Sequence, residues 1–103
     1  MAHLLSFATF FQWTVHSGRD AEFVEIWNEG TALLVAEGSL GSALFRGQDG
    51  RFSALARWPD RATRDAGFAR VADHEVFVRM RECVSETNRW DDTDEVSNLW
   101  RLP

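Results

Sequence analysis

The spacing of apolar and polar residues changes along the chain, and each spacing predicts one element. Residues 4–15 are apolar at their odd positions and mixed at their even positions, with Phe10 in the middle. Alternation with a period of two predicts a strand, and the mixed even face indicates that both faces of this strand are covered. Residues 20–37 repeat their apolar positions at helical spacing, so they predict a helix, which Gly38 ends.

The middle of the chain predicts a β-hairpin. Residues 40–47 and 51–58 are two short runs with β-like composition. Asp49-Gly50 lies between them, and this dipeptide is typical of hairpin turns because glycine accepts a positive φ without a steric clash. We therefore expect these two runs to pair as the second and third strands.

The last part of the chain predicts a broken helix, an acidic turn and a strand. A helical region begins near residue 61, where Asp60 can cap it, and Asp73-His74 interrupts this region or caps its second half. Residues 85–95 are acidic and predict a solvated turn, and residues 96–102 predict the last strand.

The order strand, helix, strand, strand, helix, strand predicts one α+β domain of the ferredoxin-like βαββαβ type over residues 1–103. We expect a four-stranded antiparallel sheet with both helices on one face. The chain has five Trp and eight Phe, which is a large number of rings for the interior of so small a domain, so some must line a cavity or an interface. A second copy is the economical cover for the bare sheet face, and we expect a homodimer through the sheet faces.

Composition and charge exclude several classes of protein. The net charge is -5 and the arginines are scattered among acids, which argues against a nucleic-acid-binding protein. No transmembrane segment or signal peptide is predicted, so we expect a cytoplasmic protein without a membrane partner. The single cysteine excludes an internal disulfide, and the three histidines lack a second ligand at metal spacing, so no metal site is expected.

Four segments spread over nearly the whole chain carry the motifs of a known family. Residues 15–23 (VHSGRDAEF), followed by Trp27, combine a strand end, a Gly-Arg turn and a helix start. Residues 38–46 (GSLGSALFR), 52–61 (FSALARWPDR) and 73–77 (DHEVF) match the family's second strand, its third strand with the next helix start, and the start of its later helix. In these motifs the chain resembles the antibiotic biosynthesis monooxygenase family.

The resemblance implies a dimeric α/β barrel with a pocket between the sheet and the helices of each subunit. It also implies a cofactor-independent monooxygenase that acts on a small aromatic compound, of phenolic, polyketide-like or quinol type, without a metal or flavin. Two alternatives with the same fold remain open: a non-catalytic protein that binds a small molecule, and a structural protein whose interior is filled by its own rings.

Heme degradation, which one branch of the family performs, is not expected. The pattern of that branch has an Asn on the first strand, a Trp in the short helix after the third strand, and a His one turn after a Val-Phe pair. The corresponding positions here are Phe11, Gly67-Phe68 and Arg81. We therefore expect no heme cofactor.

Six aromatic residues are candidates for the wall of a pocket. Phe11 and Trp13 lie on the face of the first strand that is turned toward the helices. For both residues, a place in a pocket wall and a place in the plain core are equally good interpretations. Trp27 and Trp58 occupy positions that resemble those of the family. Structural packing is the better interpretation of both, although each indole N–H is also available to a ligand. The six are Phe11, Trp13, Trp27, Trp58, Phe68 and Phe77.

Three residues are candidates for catalysis. His74 is the only histidine within a family-like motif, and an imidazole can take a proton from a phenol near neutral pH. Capping of a helix at the break is the competing interpretation of His74, and it is favoured. Arg57 or Arg81 is the expected partner of the resulting phenolate, because a guanidinium stabilises a developing oxyanion.

Overall fold

The computed structural model describes residues 5–101, which fold as an antiparallel sheet with helices on one face. In chain order the elements are β1 (Phe7–Val15), α1 (Asp20–Ala36), β2 (Gly41–Arg46), β3 (Phe52–Trp58), α2 (Arg61–Val71), α3 (Glu75–Cys83), β4 (Val84–Arg89) and β5 (Thr93–Asp94). The strand order is β2-β3-β1-β4, and the short β5 pairs with the start of β1. The predicted ferredoxin-like α+β fold is confirmed. Within residues 5–101 no helix is both long and apolar enough to cross a membrane.

The fourth strand lies earlier in the chain than the hydrophobic pattern predicts. β4 falls in the stretch that was predicted to be a turn, and residues 96–101 form no strand. β4 is a mostly exposed edge strand, so its side chains carry little apolar signal and its backbone hydrogen bonds to β1 hold it in place. The apolar signal after residue 95 comes from Val96, Leu99 and Trp100, which are 88%, 89% and 63% exposed.

The broken helix of the second half is two helices, each with its own side-chain cap. The Asp60 carboxylate accepts a hydrogen bond from the backbone N–H of Thr63 at 2.7 Å and starts α2. Nδ1 of His74 accepts one from the backbone N–H of Val76 at 3.0 Å and starts α3. Each cap satisfies a backbone donor that has no partner inside its helix, which is why the two helices begin where they do.

Alternation along β1 and β3 gives the sheet one covered face and one bare face. Phe7, Thr9 and Trp13 of β1 are buried toward the helices, as are the even-numbered residues of β3. The even-numbered Phe10 faces the other way, opposite Leu55, and is 39% exposed. The predicted direction of the odd residues of the first strand is therefore confirmed. No described helix covers the second face, and residues 93–100 border the part of it around Ala8 and Arg57.

One carboxylate holds the turn after β4 against the end of the sheet. Asp92 accepts hydrogen bonds from Arg64 at 2.9 and 3.1 Å, from Arg61 at 3.2 Å and from Arg89 at 3.0 Å. Arg64 is 6% exposed and also donates to the Thr9 hydroxyl at 2.9 Å. The hydrogen bonds from Arg64, followed by the charges around them, lower the pKa of the Asp92 carboxyl to about 2.

The substitution Asp92→Asn should remove part of the acid sensitivity of folding. The folded-state pKa of Asp92 is about 2, below its ordinary value of 3.8, so the ionised form contributes stability that is lost as pH falls between these values. Denaturant unfolding at a series of pH values measures this contribution. The free energy of unfolding of the variant should lie below that of the wild type at neutral pH, and the gap should narrow toward about pH 2.

Asp91→Asn is the matched control, because it removes the same charge from the exposed neighbouring residue. This control should follow the pH profile of the wild type. A gap between wild type and Asp92→Asn that stays constant over the acidic range would contradict the assigned role of the carboxylate.

Candidate ligand-binding cavity

A cavity of about 360 Å³ lies between the covered face of the sheet and the three helices. Its wall is mainly apolar and includes five aromatic rings, which come from β1 and from all three helices. These rings belong to Phe11, Trp13, Trp27, Phe68 and Phe77. The cavity is partly open to solvent, so a small molecule can reach it without unfolding of the chain.

Small residues on the central strand create the space. Along the covered face of β3, Ala54 and Ala56 stand between Phe52 and Trp58, and both alanines line the cavity. The neighbouring position on β2, opposite Ala56, is Ser42, which is also small and also lines it. The sheet therefore has a floor of short side chains with a large ring at each end.

A glycine in α1 lets α3 pack closely against α1 where these two helices border the cavity. A Cβ atom at Gly30 would lie 3.2 Å from the ring of Phe77 and 3.3 Å from the terminal methyl group of Met80. Helix α3 therefore approaches α1 more closely than a larger residue at this position would allow without a shift of these side chains. All three residues line the cavity.

Two of the rings that line the cavity stack on each other. The centroids of Phe11 and Trp13 are 5.4 Å apart and their planes differ by 8°. Trp13 then packs at a tilt against Phe23, which is fully buried. A stacked pair backed by core is held in one orientation, so these two rings form a fixed apolar part of the cavity wall.

Polar groups are few, and only one of them is charged. Among the described residues that line the cavity, the polar side chains are Thr31, Ser42, Arg81 and Thr87. Arg81 is an exposed residue of α3, so its guanidinium lies at the rim. The arrangement therefore offers hydroxyl groups and one cation to an oxygen atom of a ligand, and these lining residues include no carboxylate or imidazole.

Six of the nine predicted site residues line this cavity, namely Phe11, Trp13, Trp27, Phe68, Phe77 and Arg81. The small residues that make the space are not among the nine predicted site residues. The alternation of large and small residues at positions 52, 54, 56 and 58 was the available signal, because two alanines on the covered face of a central strand leave room. Ser42, Thr31 and Thr87 carry no comparable signal.

Arg57 and Trp58, two of the nine predicted site residues, do not line this cavity. Arg57 is an odd-numbered residue of β3 and points to the bare face, where it donates to Ser6 at 3.1 Å and to Glu95 at 3.2 Å. Trp58 is fully buried and packs against Phe68 with ring centroids 5.8 Å apart. Adjacent strand residues point to opposite faces, so these two could not have shared one pocket.

His74 also lies outside the cavity lining, so its predicted place beside the rings is not found. It is exposed, and its Nδ1 lone pair accepts the hydrogen bond from Val76. The Nδ1 lone pair is therefore engaged in the cap. The helix-capping interpretation fits this geometry.

The fold of this chain is similar to the folds of several solved structures. No protein-family model and no curated protein matches the chain. A mutant form of SnoaB, a cofactor-independent oxygenase from Streptomyces nogalater, is similar with a TM-score of 0.78 at 18% identity, covering 91% of this chain and 96% of that one. A candidate antibiotic biosynthesis monooxygenase from Bordetella bronchiseptica has a TM-score of 0.74 at 21% identity, covering 90% and 99%.

A dimeric ferredoxin-like protein from an uncultured marine organism is also similar, with a TM-score of 0.71 at 13% identity, covering 95% of this chain and 94% of that one. At these sequence identities, the similarity establishes the fold of the chain. It does not establish the activity, which depends on the chemistry of the cavity. The resemblance inferred from the sequence motifs is confirmed at this level: the chain has the fold of structures named as antibiotic biosynthesis monooxygenases.

Proposed function

We propose that the protein is a cofactor-independent monooxygenase that acts on a small aromatic compound of phenolic, polyketide-like or quinol type. The observation that carries this proposal is the ring-walled cavity with a single cation at its rim. Two structures of similar fold, those of SnoaB and the Bordetella protein, are named for oxygenase chemistry, which supports the same reaction class.

The cavity would contribute binding, orientation and electrostatic stabilisation. The apolar rings hold a flat substrate and exclude water, which strengthens each polar contact that remains. Arg81 at the rim favours the ionised form of a phenol, and a phenolate gives electrons to oxygen far more readily than its neutral parent. With no base among the described lining residues, the phenolic proton leaves to solvent through the open side.

The electron balance needs no external reductant. In the oxidation of an activated ring methylene to a carbonyl, one atom of O₂ becomes the carbonyl oxygen. The two hydrogens leave with the other oxygen atom as water. The substrate supplies all the electrons, so the role of this chain is to bind the substrate, hold the anion and admit oxygen.

A non-catalytic small-molecule-binding protein is the second candidate. The observation that favours it is the lack of a carboxylate or imidazole among the described residues that line the cavity. A structural protein with a filled interior is less well supported, because a space of about 360 Å³ remains between the sheet and the helices.

We further propose a homodimer that joins the bare sheet faces. Phe10 and Leu55 lie opposite each other at the centre of this face, and the exposed rings of Phe45 and Trp90 border the same surface recess. A monomer that exposed these groups together would present an apolar patch to water. One structure of similar fold is described as dimeric, which supports the proposal.

Ala54→Leu should weaken ligand binding and slow oxygen consumption, because the larger side chain fills the cavity floor. Titration of the purified protein with hydroquinone-like and anthrone-like compounds should quench tryptophan emission, and an oxygen electrode should record uptake with a working substrate. The larger side chain should weaken binding by at least about tenfold, while overpacking costs about 1–3 kcal/mol of stability.

Ala32→Leu is the control, since it adds the same side chain at an exposed position of α1. Binding without oxygen uptake by any compound would favour the second candidate function. Equal binding by the wild type and the Ala54→Leu variant would place the ligand elsewhere and contradict the proposed site.

His74→Asn and His74→Ala separate a capping role from a catalytic one. Asparagine caps helices as well as any residue, whereas alanine loses the cap at a cost of about 1 kcal/mol. We expect His74→Asn to keep both thermal stability and turnover, and His74→Ala to lose stability only. If both variants lost turnover by about 10²-fold or more, His74 would be the base after all.

Phe10→Asp should weaken the dimer, because it would bury an unpaired charge between the sheets. Light scattering or sedimentation at micromolar concentration measures the effect. Val78→Asp is the control: Val78 lies on α3 and is 39% exposed, the same fraction as Phe10. A wild-type protein that is monomeric under these conditions would disprove the proposed dimer.

A further inference from the structure

A second recess adjoins the cavity and shares two of its walls. Phe11 and Phe68 line both spaces. The recess has a volume of about 540 Å³, and its remaining wall includes Arg64, Asp65 and Arg89. The two spaces therefore meet at these two rings, which places the charged side chains of the recess next to the cavity.

The charged side chains around this recess carry an excess of positive charge. Arg61, Arg64 and Arg89 all donate to Asp92, and Arg64 also donates to Asp65 at 2.7 Å. Three guanidiniums against two carboxylates leave one positive charge, in a chain whose net charge is -5. The recess is therefore a local exception to the acidic character of the protein.

Of the two arginines that line the recess, Arg89 is the one available to a ligand. Its side chain is about half exposed, and it makes one hydrogen bond within the described part of the chain, to Asp92 at 3.0 Å. A guanidinium has five N–H donors, so most of those of Arg89 are free. Arg64, in contrast, is buried and engaged with Asp65, Asp92 and Thr9.

The position of Arg89 is set by strand pairing and by Asp92. Arg89 is opposite Phe11 in the β1–β4 register, and its guanidinium carbon lies 6.0 Å from the centroid of the Phe11 ring. That ring stacks on Trp13 inside the cavity. The cation therefore lies beside a ring that borders both the cavity and the recess.

We propose that Arg89 is a specificity-determining residue that selects aromatic ligands bearing a carboxylate. The ring occupies the cavity, and the carboxylate lies in the recess and accepts charge-assisted hydrogen bonds from Arg89. This inference rests on the proposed function only in requiring that an aromatic ligand enters the cavity. It assigns to the ligand a second anionic group, distinct from the phenolic oxygen that Arg81 would face.

The test compares naphthoate with naphthamide, which has the same ring and nearly the same shape without the charge. Isothermal titration calorimetry at low ionic strength should show naphthoate binding to the wild type about tenfold more tightly, as expected for charge-assisted hydrogen bonds at a partly exposed site. Arg89→Gln should remove this preference and leave the affinity for naphthamide within about twofold. Arg89→Lys should keep only part of the preference. Lysine retains the positive charge, but it lacks the planar guanidinium that can bind a carboxylate through two hydrogen bonds.

Arg51→Gln is the control for a general change in charge, because Arg51 is exposed near the β2–β3 turn and pairs with Asp49. It should bind like the wild type. Asp65→Asn provides a variant at an exposed position that changes the preference in the opposite direction. It removes one carboxylate from the recess, so it should raise the preference for naphthoate by about twofold to threefold.

Equal binding of the two compounds by the wild type would overturn the inference and leave the proposed function standing. A preference that survives in Arg89→Gln, or does not rise in Asp65→Asn, would overturn it as well. If neither compound binds while the protein is folded, the ring-walled cavity does not take aromatic ligands, and the proposed function fails together with the inference.

Discussion

The antiparallel register of β1 on β3 decides which side chains meet on each side of the sheet. In this register Ala54 lies opposite the Phe11 ring, and Ala56 lies opposite the Thr9 hydroxyl. A shift by one residue would turn the alanines to the bare face and Leu55 into the cavity. The existence of the cavity and the identity of its floor both depend on this one pairing.

The cavity lowers the stability of the fold, and the contacts around the cavity compensate for this loss. Alanines in place of larger residues forgo apolar burial, and Gly30 within α1 costs about 1 kcal/mol relative to alanine. Beyond the two ends of the cavity the packing is dense. Trp58, Phe23 and Val76 are fully buried there, in two clusters. The cavity is thus flanked by two buried apolar clusters.

Charge is concentrated at one end of the sheet, where Asp92 organises three arginines. Two of them, Arg61 and Arg64, also lie over the ring of Phe7, with guanidinium carbons 5.0 and 4.8 Å from its centroid. Cation–π contacts and hydrogen bonds to one carboxylate fix guanidiniums that would otherwise repel each other. The same carboxylate therefore anchors the turn after β4 and positions Arg89 beside the cavity.

The sequence by itself determined the elements whose signal is local. Alternation in residues 7–15 and 52–58, the Asp-Gly turn and the caps at Asp60 and His74 all depend on near neighbours, and the structure has each of them. β4 was missed because an exposed edge strand is held by backbone pairing, which leaves no apolar pattern in its side chains. Alternation also separates Arg57 from Trp58, a local rule that the prediction of the site overlooked.

Only the tertiary structure decided which distant residues share the site. The rings of the cavity come from β1 and three helices, and Thr9, Arg64 and Asp92, which also meet, are far apart in sequence. Their meeting depends on strand order, on the close approach that Gly30 permits, and on the empty volume above two alanines. A space is the absence of side chains, so it follows from the packing of the whole chain and has no local pattern of its own.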